Sequence, residues 1–188
     1  MKKIFLNKAL RILLATNAMI IVAAAMLGPI YALFVKDIGG DLLDASIAGG
    51  ILALVAGITT LTSGKYSDKI KENELIIVLG YTIMGVGFLL YFWVNSVTFL
   101  FIVQAVIGFG EAIYAPAFDA VYSKHLDEHK SGTQWGVWES MNYFTHAMGA
   151  FLGGVLVTVF GFQSLFIIMA MLCFGSALYI FHLKRSVL

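Results

Sequence analysis

Polar side chains that could carry protons lie inside long apolar runs of this chain. Glu139, Asn142 and His146 have the spacing of one stripe on a helix. Glu111 and Asp119 lie in the preceding apolar run. A carboxyl group away from water takes up a proton more readily, and a neighbouring histidine can share that proton. The predicted proton-coupling candidates are Glu111, Glu139, His146 and Asp119.

Two of these groups are expected at a similar depth. Glu111 lies thirteen residues before Lys124, and His146 lies fourteen residues after Gly132. At the helical rise these spacings correspond to roughly 20 and 21 Å. The sequence therefore allows Glu111 and His146 to pair. In the alternative interpretation, Glu139 and Asp119 only hydrogen-bond helix ends or the nearby Tyr and Trp side chains.

The composition predicts the elements that carry these groups. The chain of 188 residues is 60% hydrophobic and 12% charged, which is too apolar for a soluble domain. The apolar runs lack the alternation of a membrane barrel, and in lipid such runs become helices. We therefore predict an all-α, polytopic membrane protein with one domain over residues 1–188. Its predicted helices are roughly 9–35, 43–64, 75–94, 97–122, 133–159 and 163–183.

The distribution of basic residues predicts the topology. Eleven of the twelve Lys and Arg residues fall on one side of the apolar pattern, and only Lys36 falls on the other. Basic loops stay in the cytoplasm during insertion, so six spans with both termini cytoplasmic are expected. Two inverted triplets of helices are also the usual plan of secondary transporters.

Glycine and proline predict close packing and kinks. Gly149, Gly153 and Gly154 are predicted to let helix backbones approach closely. Pro29 and Pro116 each remove a backbone hydrogen bond, so kinks are expected in the first and fourth predicted helices.

Three segments carry a family resemblance. The loop Gly64–Lys71 resembles the signature loop of the major facilitator superfamily, with Gly64, Asp68 and Lys69 at matching positions. Residues 104–111 resemble the family's fourth helix, with Gln104 where the family has arginine. Residues 149–154 resemble the antiporter motif of its fifth helix, with Ala150 in place of proline.

The resemblance implies a cavity and a latch. The first and fourth helices of the family line a central cavity, which gives a set of substrate-cavity candidates. They are Asn17, Tyr31, Phe34, Gln104, Tyr114 and Asn142. The resemblance also implies that Asp68 latches one conformation; alternatively, Asp68 pairs only with lysines of its own loop. Family members have twelve helices, so this chain would need a second six-helix bundle, either from a homodimer or from a missing C-terminal half.

These observations predict a secondary active transporter working by alternating access. Proton-coupled export of a small, partly apolar compound is expected, with protons as the coupling ion and no other cofactor. The alternatives are a non-transporting membrane scaffold or accessory subunit, and an inactive fragment of a twelve-helix transporter. The sequence contains no enzyme motif, no metal-ligand cluster and no basic surface for nucleic acid. The expected location is the plasma membrane of a bacterium or archaeon.

Overall fold

A computed structural model describes residues 6–67, 69–70, 72–184 and 187–188, and all regular structure in these ranges is helical. Asp68 of the predicted latch lies outside the described residues. Five helical segments are long and apolar enough to cross a membrane, which confirms an all-helical membrane fold. The helices are α1 Lys8–Leu27, α2 Tyr31–Asp37, α3 Leu42–Ser67, α4 Asn73–Leu90, α5 Val97–Lys124 and α6 Ser131–Phe181.

Side chains in the loops fix where several helices begin. The Asn7 side chain accepts a hydrogen bond from the Leu10 backbone amide at 2.8 Å and so caps α1. At the start of α3, the Asp41 carboxylate accepts from the Asp44 amide at 3.0 Å. The Asp44 carboxylate accepts in turn from the Asp41 amide at 2.9 Å. This reciprocal pair satisfies two amides that the first turn leaves without helical partners.

The first predicted helix is interrupted at its proline. Gly28–Ile30 forms a short 3-10 segment between α1 and α2, with Pro29 at its start. Proline has no amide to donate, so the regular hydrogen-bond ladder cannot pass through it unchanged. Pro116, in contrast, lies inside α5, which continues to Lys124.

The chain reverses direction inside α6. Gly161 has φ 78° and ψ 172°, a left-handed conformation that glycine adopts without strain. The part before Gly161 (131–160) follows α1 in the same direction, and the part after it (162–181) follows α1 in the opposite direction. The contacts that define these directions are Gly149 with Val22, Gly153 with Met26, Phe166 with Phe34, and Ser176 with Thr16.

Packing between the helices leaves one gap. α1 packs mainly against α6, α4 packs against both α5 and α6, and α3 packs against α5. α1 and α5 make only a few contacts with each other, because α1 packs on α6 whereas α5 packs on α3 and α4. The space between α1 and α5 is where the candidate site lies.

Candidate functional site

A cavity of about 280 Å³ lies between α1 and α5. The first part of α6 closes one side, and Met84 of α4 contributes to the wall. Glu111, Asp119 and His146 are exposed, so the cavity opens to the surface of this chain. Its lining residues are Asn17, Ile20, Ile21, Ala24, Met84, Glu111, Tyr114, Ala115, Phe118, Asp119, Trp138, Asn142 and His146.

The cavity brings together residues that the sequence could only place at similar depths. Three of the predicted proton-coupling residues line it, namely Glu111, Asp119 and His146, and Tyr114 and Asn142 line it with them. The His146 ring nitrogen Nδ1 is 3.0 Å from the backbone oxygen of Asn142, so this contact orients the ring. Two carboxylates and an imidazole therefore share one small cavity.

Asn17 of α1 supplies an amide to the same cavity. The residue is buried, and its Nδ2 donates to the Tyr81 hydroxyl at 3.3 Å. The Tyr81 ring in turn packs edge-on against Tyr114, with 4.9 Å between ring centroids. Within the part of the chain that the structure describes, Asn17 Oδ1 has no hydrogen-bond partner. A buried acceptor without a partner is costly, and here the side chain that carries it lines the cavity.

Trp138 adds an aromatic wall that sequence reasoning did not assign to the site. Its ring lies near Phe118, with centroids 6.4 Å apart, and both residues line the cavity. The indole Nε1 is buried and has no hydrogen-bond partner among the described residues. Sequence reasoning also missed Tyr81, which holds the Asn17 amide. The sequence did not mark either residue as part of a site, because tryptophan and tyrosine are also enriched at membrane–water interfaces.

A second cavity, of about 190 Å³, adjoins the first. Glu111 lines both cavities, and Tyr31 and Gln104 line the second. Gln104 Nε2 donates to the Tyr31 hydroxyl at 2.5 Å. Gln104 Oε1 is buried and has no hydrogen-bond partner in the described part of the chain. The arginine of the family pattern is thus replaced here by an amide that is bound to a tyrosine.

Two predicted site residues lie elsewhere. Phe34 is buried in an aromatic cluster, with ring centroids 5.5 Å from Tyr91, 5.3 Å from Phe162 and 5.0 Å from Phe166. This residue packs the core and lines neither cavity. Glu139 lies less than one turn before Asn142, but its side chain is exposed and does not line either cavity.

The residues predicted for packing and for the latch occupy several environments. Gly149 and Gly153 contact the α1 backbone, whereas no atom lies within 4 Å of a Cβ placed on Gly154. Gly64 lies near the end of α3 and Lys69 is exposed in the following loop. Because Asp68 lies outside the described residues, the predicted latch remains a prediction.

The geometry suits binding of a small organic molecule. Apolar side chains form most of the wall, and a few amide, carboxylate and aromatic polar groups converge on it, as in ligand pockets generally. Among the described residues there is no group of three or more His, Cys, Asp or Glu side chains that could hold a metal ion.

Several known proteins are similar to this chain in sequence. A family model described as Major Facilitator Superfamily matches residues 13–187. Multidrug resistance protein MdtG of Erwinia billingiae is 23% identical over 89% of this chain and 41% of its own length. The uncharacterized MFS-type transporter MJ1560 of Methanocaldococcus jannaschii is 24% identical over 84% of this chain and 41% of its own length.

A further MdtG, from Yersinia enterocolitica, is 25% identical over 89% of the chain and 41% of its own length. The chain thus spans about two-fifths of the length of the curated relatives it matches. The family model covers nearly every residue from the first helix to the C-terminal end. On this match, the chain belongs to the Major Facilitator Superfamily.

Proposed function

We propose that this chain is one bundle of a secondary transporter that moves a small, partly apolar compound by alternating access. The observation that carries the proposal is a set of three buried polar atoms without partners among the described residues. They are Asn17 Oδ1, Gln104 Oε1 and Trp138 Nε1. The residues that carry these atoms all line the two adjoining cavities. The cavity walls therefore offer two acceptors and one donor to a substrate with hydrogen-bonding groups.

The cavity chemistry favours an aromatic cation as substrate. Tyr114, Phe118 and Trp138 supply aromatic rings, a type of side chain that attracts cations, and Glu111 and Asp119 supply negative charge. The relatives named multidrug resistance proteins favour export over import. We further propose that protons drive this export, with Glu111 as the proton carrier, because its carboxyl group lines both cavities.

We propose that the chain crosses the membrane six times. α6 has 51 residues, which at 1.5 Å per residue would reach about 77 Å, against a hydrocarbon thickness of about 30 Å. The reversal at Gly161 divides this length into two parts that are each long enough to cross. Reporter fusions at the two ends should therefore fall in the same compartment, and fusions in opposite compartments would contradict six crossings.

A second six-helix bundle is needed to close the pathway. In this chain α3 is mostly exposed outside its contact with α5, and only Ala45, Ala48 and Ser67 are buried along it. The first part of α6 likewise exposes Tyr143, Phe144, Phe151 and other large apolar side chains. Lipid can cover such surfaces, but the cavity opens to the surface and cannot hold a substrate on every side. We propose that a second copy of the chain, or the remainder of a longer chain, supplies the missing wall.

Transport can be tested by counterflow in proteoliposomes. Vesicles containing the chain and loaded with unlabelled ethidium, an aromatic cation, should take up labelled ethidium faster than vesicles without protein. The matched variant Asn17→Leu removes the cavity amide at similar volume and should slow this uptake.

Light scattering in mild detergent should show more than one bundle per particle. A strictly monomeric chain without counterflow would instead support the scaffold or fragment alternatives.

A further inference from the structure

A groove runs along the outer surface of α1, on a different face from the cavity. It has a volume of about 610 Å³ and lies between α1 and the second part of α6. Its residues on α1 recur every three or four positions, as expected for one helical stripe. The lining residues are Lys8, Arg11, Ile12, Ala15, Thr16, Met19, Gly175 and Tyr179.

The floor of this groove is apolar. The Thr16 hydroxyl lies 2.9 Å from the Ile12 backbone oxygen, so its polar atom is already satisfied within α1. The groove is open at Gly175, where an added Cβ would meet only the Met19 Cε, at 3.9 Å. Such a surface offers dispersion contacts to an alkyl chain and few hydrogen bonds to anything else.

Two cations stand at one end of the groove. Lys8 and Arg11 are one turn apart on α1, and both are exposed. No ion pair to either is found among the described residues, where Lys130 and Asp127 form an ion pair at 3.4 Å. Basic pockets between helices at the membrane–water boundary bind anionic lipid headgroups. The charge at this end of the groove is complementary to such a headgroup.

The length of the groove matches one leaflet. Arg11 and Met19 are eight residues apart on α1, which corresponds to about 12 Å along the axis. Half of the hydrocarbon core is about 15 Å thick. Beyond Met19, a second, wholly apolar groove of about 350 Å³ continues along α1 past Val22 to Met26. An acyl chain entering from the cationic end would therefore meet apolar surface over its full depth.

We propose that this groove binds one anionic phospholipid from the leaflet that adjoins the N-terminal end of α1. The phosphate contacts Lys8 and Arg11, and one acyl chain lies between α1 and the second part of α6, over Gly175 and Met19. α1 also lines the cavity between α1 and α5. The lipid therefore packs against the outer side of a helix whose other side lines the candidate transport pathway.

Native mass spectrometry of the purified chain with phosphatidylglycerol or phosphatidylcholine tests this site. We expect one phosphatidylglycerol to remain bound under conditions that remove phosphatidylcholine. The double variant Lys8→Gln, Arg11→Gln should bind phosphatidylglycerol about 25-fold more weakly, since each cation near the surface contributes a factor of about five. The matched control Lys36→Gln, Lys65→Gln removes two exposed cations elsewhere and should retain the lipid.

A second variant tests the acyl-chain contact without changing charge. Gly175→Leu fills the groove, leaves Lys8 and Arg11 in place, and should weaken phosphatidylglycerol binding at least several-fold. This variant therefore tests lipid binding in the groove even if the double variant fails to insert into the membrane. If glycerol phosphate displaces bound phosphatidylglycerol as well as free phosphatidylglycerol does, the site recognises only an anion and the proposal is wrong. Equal retention of the two lipids, or unchanged binding by Gly175→Leu, would overturn it as well.

Discussion

Replacing Gly153 by valine should lower the thermal unfolding midpoint of the chain by about 10 °C. A Cβ at Gly153 would collide with the backbone oxygen of Met26, so the first part of α6 would have to move away from α1. Overpacking of this kind costs about 1–3 kcal/mol, or more when backbone must move. For a chain of this size, each kcal/mol shifts the midpoint by roughly 2–4 °C.

The neighbouring glycine gives a matched control. At Gly154 a Cβ would meet no atom within 4 Å, so Gly154→Val should change the midpoint by no more than a few degrees. Both midpoints can be read with a thiol-reactive fluorophore, because Cys173 is the one cysteine of the chain and is fully buried. Equal midpoints for the two variants would show that α1 and α6 do not pack through Gly153.

The helical framework could be predicted from the sequence because lipid restricts the choices. A continuous apolar run about 20 residues long must satisfy its own backbone, so its type and approximate length follow from composition. The predicted helices 133–159 and 163–183 leave a break between them, and the reversal at Gly161 lies in that break. The expected kink at Pro29 coincides with the 3-10 segment.

The orientation of each helix could not be predicted in the same way. Lipid is as apolar as a protein core, so a buried face and a lipid-facing face have similar compositions. α3 illustrates this, because it is about as apolar as its neighbours and yet has only three buried residues in this chain. The number of membrane crossings and the arrangement of the helices as two inverted triplets likewise remain predictions. Both are defined relative to the membrane, and the packing of the helices does not give the position of the membrane.

At the candidate site too, the sequence predicts how deep a residue lies in the membrane but not which way its side chain faces. Helical rise was enough to place Glu111 and His146 at similar depths, and the structure places both on one cavity. The same reasoning placed Glu139 on the stripe of Asn142 and His146, but the Glu139 side chain lies outside the cavity. An aromatic residue such as Phe34 gives no indication of whether it lines a cavity or packs a core.

Replacing Glu111 by glutamine should abolish proton-driven transport while leaving the chain folded and inserted. Glutamine keeps the size and hydrogen-bonding capacity of the side chain but cannot carry a proton. In proteoliposomes with an acidic lumen, ethidium accumulation by this variant should fall to the rate of vesicles without protein. Counterflow at equal pH should persist, because exchange of substrate for substrate needs no net proton movement. This pair of measurements separates proton coupling from substrate binding.

Glu139→Gln is the matched control for this experiment, because it makes the same chemical change on an exposed side chain that lines neither cavity. Its proton-driven uptake should stay close to that of the unmodified chain. Asp119→Asn tests the second carboxylate of the cavity, which the second cavity does not share, and should reduce uptake less than Glu111→Gln. Unchanged proton dependence in Glu111→Gln would remove this residue from the mechanism. Equal loss in Glu139→Gln would show that coupling depends on surface charge, since that side chain does not reach the cavity.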